Sequence, residues 1–237
     1  MDKLKDMFNV IRETIPPIHK EGHIFIFIFA AVTIFLGSFS DSLGWVGTIL
    51  TLWCAYFFRD PERITPVNDG FVISPADGYI QKIEKVSPPE ELGMGDKKVN
   101  RITIFLNVFN VHINRIPVAG EITTLNYHPG QFLSANLDKA SDVNERQSVV
   151  IKTEDGKEVI CVQIAGQIAR RIICDLKEGQ EVKTGERYGL IRFGSRADIY
   201  LPEGVNPLVI AGQTAIGGET VLADLKGKHA ARKGEAR

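Results

Sequence analysis

The chain has 237 residues, 28 basic and 29 acidic side chains, and 3 cysteines. That length allows one large domain or two modest ones with ample core, and the balanced charge excludes a general nucleic-acid binder, which carries a basic excess. Cys54, Cys161 and Cys174 stand singly in apolar runs without CxxC spacing, which excludes a disulfide framework and a zinc site and fits reduced, buried thiols facing a cytosol.

The first elements are two apolar runs, His23–Gly37 and Leu43–Phe58, of 15 and 16 residues, separated by SFSDS. Each falls short of the about 20 residues that span a bilayer comfortably. Together they predict a tight membrane hairpin, either spanning or re-entrant, within an N-terminal region 1–60. Lys3, Lys5, Arg12 and Lys20 precede the pair, Arg59 and Arg63 follow it, and the connection has no basic residue. By the positive-inside rule both ends, and everything after residue 59, face the cytoplasm.

From Phe71 onward the chain reads as short β-rich runs between turn residues: FVIS, YIQKIEKV, RITIFLNV, SVVIKT, EVICVQIA, ARRIICDL, YGLIRF, ADIYL and LVIAG. Valine and isoleucine dominate and turn signals recur at short intervals, so residues 61–226 are expected to form a mainly β domain, a sandwich or barrel. Residues 130–144 are the best candidate for a long loop or short helix. Gly179-Gln180 with Gly185-Glu186 recurs 33 residues later as Gly212-Gln213 with Gly218-Glu219. This unit resembles the hammerhead hairpins of biotinyl and lipoyl carriers, and two copies predict a pseudo-symmetric β-sandwich of the barrel-sandwich-hybrid kind. Residues 227–237 are polar and basic, and read as a disordered tail.

Residues able to do chemistry are few. Ser74-Pro75-Ala76-Asp77-Gly78 is explained by turn chemistry alone. His112 and Arg115 lie in the apolar stretch FNVHINRIP, where a histidine is either a structural residue or an acid–base group; His128, in NYHPGQF, has the same ambiguity. Ser195, in IRFGSRADIY, fails the G-x-S-x-G nucleophile elbow, because Phe193 and Ala197 occupy the glycine positions. No HExxH, HxH or dinucleotide fingerprint occurs.

Taken together, FFRDPER (57–63), SPADG (74–78), NVHINRIP (110–117), FLSANLDKASDVNERQ (132–147) and FGSR (193–196) resemble the phosphatidylserine decarboxylase family in its short form. The resemblance runs from about residue 57 to residue 224, in consistent order and spacing. It implies that Gly194–Ser195 is a self-cleavage site. The serine hydroxyl attacks the preceding carbonyl, elimination from the resulting ester leaves dehydroalanine, and hydrolysis gives a pyruvoyl group and ammonia. The products are a β chain, 1–194, and an α chain of 43 residues, 195–237, which stay together as a heterodimer. A higher homo-oligomer is left open. The pyruvoyl ketone is the implied cofactor, with no metal and no pyridoxal phosphate, and it forms a Schiff base with the amine of phosphatidylserine. Loss of CO₂ into that electron sink gives phosphatidylethanolamine. A site on the cytoplasmic face of the cell membrane suits such a lipid.

In the longer form of the family an Asp, a His and the cleavage Ser act as a triad. The matching motifs carry these roles to Asp77, His112 and Ser195, with Asp77 fixing the His112 tautomer. The longer form has a second histidine where this chain has Arg115. His112 then serves both cleavage and protonation of the α-carbon, or another residue such as His128 assists. Arg115 could instead neutralise the phosphate or carboxylate of the substrate. The rival reading is a membrane-anchored hammerhead carrier or adaptor without catalysis, for which Asp138-Lys139-Ala140 reproduces a lipoyl attachment triplet.

Overall fold

The computed structural model describes residues 16–95, 97–131, 143–166, 171–192 and 195–235. They divide into two compact units at the Glu62/Arg63 boundary.

The first unit is a helical hairpin, α1 (His23–Gly37) and α2 (Asp41–Phe57). Small residues let the two backbones approach. Gly37 and Gly44 face each other, and a β-carbon at Gly47 would collide with Thr33. The Thr33 and Thr51 hydroxyls meet at 3.1 Å across the helix pair. Small residues and hydroxyl contacts of this kind hold helices together where both surroundings are apolar. Large apolar side chains point outward instead, among them Phe27, Ile34, Phe35, Trp45, Ile49 and Leu52. The stretch Lys20–Gly37 is long and apolar enough to cross a membrane.

The second unit is mainly β. Its strands are β1 (Phe71–Ile73), β2 (Gly78–Val86), β3 (Val99–Leu106), β4 (Ile113–Arg115), β5 (Gly120–His128), β6 (Arg146–Lys152), β7 (Glu158–Ala165), β8 (Ile172–Cys174), β9 (Glu181–Val182), β10 (Arg187–Ile191), β11 (Ser195–Tyr200), β12 (Thr214–Ala215) and β13 (Val221–Asp224). Eight of them form one antiparallel sheet in the order β12-β2-β3-β11-β7-β6-β5-β9, while β4-β10-β8 and β1-β13 form two small sheets. The inner face of the large sheet and the small sheets enclose one core that includes Ile80, Ile102, Ile104, Leu106, Ile122, Val149, Cys161, Ile199 and Leu222. Seven of the nine expected strand runs coincide closely with strands. ARRIICDL keeps only β8 at its centre, and LVIAG turns instead of extending, with Gly212 at φ 92°. β5 is not marked by the apolar runs because GEITTLNYH alternates apolar and polar residues.

The Gly-Gln repeat organises this unit. In the first copy Gly179 N–H donates to Ile122 O (2.8 Å) and Ile122 N–H to Gln180 O (2.9 Å). In the second, Gly212 N–H donates to Ile80 O (2.7 Å) and Ile80 N–H to Gln213 O (2.8 Å). Gly185 N–H reaches Ile116 O, and Gly218 N–H reaches Ser74 O, both at 2.8 Å. All four glycines have positive φ, 77° to 92°, a conformation that side chains with a β-carbon rarely adopt.

The partners of these turns are themselves a repeat. Ser74 to Ile80 and Ile116 to Ile122 are related by a constant offset of 42 residues, and each set leads into a strand with a bulge, at Ile80/Lys82 in β2 and Ile122/Thr124 in β5. Gly78 and Gly120 are equivalent: a β-carbon would strike the Phe105 carbonyl in one copy and the Lys152 carbonyl in the other. Asp77 therefore corresponds to Ala119.

β11 lies in the middle of the large sheet, paired with β3 and β7 along its whole length. Its outer face carries a buried ionic cluster. Arg196 Nε and Nη2 donate to the two Asp198 carboxylate oxygens at 2.7 and 2.8 Å, and Nη2 also donates to Thr103 Oγ1 on β3 at 3.1 Å. Arg101 lies 3.7 Å from Asp198 and pairs with Glu84 on β2.

Candidate functional site

The sheet register assembles the site at one end of β2, β3, β11 and β7. Tyr79 pairs with Phe105, and Phe105 with Arg196. One residue nearer the end, Ser195 pairs with Leu106 on one side and Ala165 on the other. Asp77, just before β2, and Ser195, the first residue of β11, thus lie at the same end of the sheet, about two strand spacings, or ~10 Å, apart. Gly194 lies outside the described residues, as do Lys139 and most of the 130–144 candidate loop.

Asp77 sits in a turn fixed at several points. Ser74 Oγ donates to Ala76 O at 2.7 Å, and Pro75 O accepts from Arg115 N at 2.9 Å. The Asp77 carboxylate accepts two bonds from Arg63 Nη2, at 2.9 and 3.2 Å, and one from the Gly217 amide at 2.8 Å. Arg63 thus has a structural task that a reading of flanking charge does not disclose. A signal was present in its place inside FFRDPER, next to the motif that supplies Asp77.

His112 is buried between Val111 and Ile113. Its carbonyl accepts from Ile191 N at 3.3 Å, which ties it to the segment that ends four residues before Ser195. Its Nδ1 lies 2.9 Å from Asn110 O. A carbonyl only accepts, so Nδ1 is the donor in this contact. The Asn110 carbonyl, and not Asp77, occupies Nδ1 and sets this tautomer. The turn behind it is closed by Asn side chains: Asn107 N–H donates to Asn110 Oδ1 (2.9 Å) and Phe109 N–H to Asn107 Oδ1 (2.8 Å).

Arg115 is buried, with Nη1 donating to Gly185 O at 2.9 Å. Its stem lies against Gly218 beside Arg63, so two guanidinium groups flank the Asp77 turn. His128 stands elsewhere. It ends β5 and shares a register row with Arg146, Ile164 and Arg196, three strands or ~14 Å from β11. The register brings Asp77 and Ser195 to one end of the large sheet, the Ile191 bond ties His112 to the strand that precedes Ser195 in sequence, and the register does not bring His128 to Ser195.

One pair was not anticipated. Gln163 and Asn114 are fully buried, and Gln163 Nε2 donates to Asn114 Oδ1 at 2.8 Å and to Ile173 O at 3.3 Å. Gln163 pairs with Ala197 on β11, two residues from Ser195. In sequence they are two unremarkable amides within apolar strands. Among the described residues, no group of three or more His, Cys, Asp or Glu side chains could hold a metal ion.

Fold and candidate site together define a class: a mainly β unit with its candidate site at one end of a long antiparallel sheet, following an apolar helical hairpin in sequence. Comparison with known proteins makes this specific. The family described as phosphatidylserine decarboxylase matches residues 50–223. Phosphatidylserine decarboxylase proenzyme of Rickettsia akari (strain Hartford) is 58% identical over 224 residues, covering 94% of both chains. The protein of the same name from Rickettsia felis (strain ATCC VR-1525 / URRWXCal2) is 57% identical over 231 residues, 98% of this chain and 97% of its own. This chain belongs to the phosphatidylserine decarboxylase family.

Proposed function

We propose that this chain is a proenzyme that cuts itself between Gly194 and Ser195 and then converts phosphatidylserine to phosphatidylethanolamine and CO₂. The observation that carries the proposal is the position of Ser195. It opens the central strand β11, and the chain before it is bonded to buried His112, at the sheet end where Asp77 leaves β2. The proenzyme name of the relatives supports internal processing.

The pyruvoyl group of this proposal is made from the carbons of Ser195, whose nitrogen leaves as ammonia, so its bond to Arg196 and the ladder of β11 to β3 and β7 beyond it are what hold it. It supplies an electron sink for the carbanion left by decarboxylation. The roles of the chain's own residues follow from their geometry. His112, tied through its carbonyl to Ile191 and through Nδ1 to the Asn110 carbonyl, is assigned as the base that takes the hydroxyl proton of Ser195 in the precursor. Asp77, held by Arg63 and Gly217, contributes fixed negative charge to the same end of the sheet. Arg115, beside Arg63, is assigned to the anionic part of the headgroup. The apolar outer surface of α1 and α2 supports membrane attachment, and the basic residues flanking the hairpin support a cytoplasmic catalytic unit.

Intact mass tests the proposal. The wild-type protein is expected as two chains ending at 194 and beginning at 195, the smaller reacting with phenylhydrazine. Ser195→Ala is expected as one full-length chain without decarboxylase activity. A Ser195→Ala protein that still splits and still releases CO₂ would falsify the assignment.

A further inference from the structure

The Gln163–Asn114 pair leaves one polar atom unused. The Gln163 amide nitrogen faces two acceptors, Asn114 Oδ1 and Ile173 O. Exchanging its oxygen and nitrogen would set oxygen against oxygen at both contacts, so the amide has one orientation. Its Oε1 is then a buried acceptor that meets no donor among the described residues. Leaving a buried amide oxygen without a donor is unfavourable, and native proteins keep few such groups. Gln163 alternates with Ala165, the partner of Ser195, on the same strand, and alternate residues share a face of the sheet. The unused acceptor therefore belongs to the sheet face and the sheet end where the reaction is placed, and its long side chain can reach a diagonal neighbour on β11.

We propose that Gln163 is a substrate-binding residue, whose Oε1 accepts an N–H of the primary amine of the headgroup, with Asn114 holding the amide in place. A neutral acceptor suits this task. It satisfies an ammonium or amine N–H without adding a buried negative charge beside the carboxylate that must leave. The proposal rests on the decarboxylase reading above, and it concerns what recognises the amine, not what cuts the chain.

Two variants test it: Gln163→Met, which keeps the length and removes the acceptor, and Gln163→Asn, which keeps the amide and withdraws it by one methylene. Both are expected to split into two chains and to label with phenylhydrazine as the wild type does. KM for phosphatidylserine should rise about tenfold with kcat nearly unchanged, the pattern of a contact made equally in ground and transition states. Cleaved variants with a wild-type KM would overturn the proposal. So would failure of both variants to split, because the acceptor would then serve the precursor and not the substrate. Failure of the wild type to split or to decarboxylate would instead remove the functional reading, whatever the variants do.

Discussion

At the scale of single residues, burial decides which groups can react. Cys161 is fully buried, with its Sγ 3.2 Å from the Tyr188 hydroxyl. Burial pushes the Cys161 thiol up to about 12 and the Tyr188 phenol well above its usual range. In the unfolded chain both groups lose their protons at lower pH than in the folded one. Their contribution to stability is complete below the free thiol's ordinary value and is lost as the pH rises toward the folded value. The urea midpoint is therefore expected to fall between neutral pH and about pH 10. Cys161→Ala should show a flatter alkaline limb, even if its neutral midpoint is lower. An identical slope in the variant would show that other groups govern the alkaline limb.

The same scale shows what the sequence could convey about the site. Asp77, His112 and Ser195 could be named as candidates because each lies in a motif with fixed spacing. Arg63 was visible as a flanking charge and as the last residue of FFRDPER, but its role was not, since its pairing with Asp77 closes a contact between segments that no local pattern records. The pairing of Asn114 with Gln163 was invisible for the same reason: a hydrogen bond between β4 and β7 leaves no periodicity in either strand. The His112 tautomer was expected from a carboxylate and is set by the Asn110 carbonyl, a backbone group that sequence reading cannot place.

At the scale of elements, the turn from Asn107 to His112 is a small device for holding an imidazole. The Asn110 side chain closes the turn while its carbonyl fixes Nδ1. Asn110→Ala removes the first function and leaves the second unsupported. Self-cleavage, followed as loss of the full-length band, is expected to slow about tenfold, with global stability reduced by only about 1 kcal/mol. A rate equal to wild type would show that the carbonyl needs no support from the side chain. The strands themselves were largely legible, since apolar runs rich in Val and Ile mark β3, β6 and β7 well. β5 escaped because its residues alternate, and LVIAG misled because its apolar residues pack around a turn.

At the scale of the whole molecule, the Gly-Gln repeat was read from sequence, but its complement was not. The offset of 42 residues relating Ser74–Ile80 to Ile116–Ile122 rests on little more than a proline, a glycine and an isoleucine in register. Backbone bonding, and not side-chain identity, carries this symmetry. The end proposed for catalysis is where the two copies part, with Asp77 in one and Ala119 in the other. A symmetric scaffold thus hosts an asymmetric site.

The central place of β11 has a consequence for the history of each molecule. The three strands after residue 195 find all their ladder partners earlier in the chain: β11 with β3 and β7, β12 with β2, and β13 with β1. The proposed cut before Ser195 would remove the covalent link that makes this assembly an intramolecular event, and would leave Arg196, clamped to Asp198 and Thr103, to moor the new end. Uncleaved Ser195→Ala protein is expected to recover its fold when diluted from urea. The mature pair should recover poorly, and better at higher concentration, because two chains must meet again. Equal, concentration-independent recovery of both would contradict this. The working enzyme would then be a product that its own parts list no longer specifies, durable only because the way back to the unfolded chains is slow.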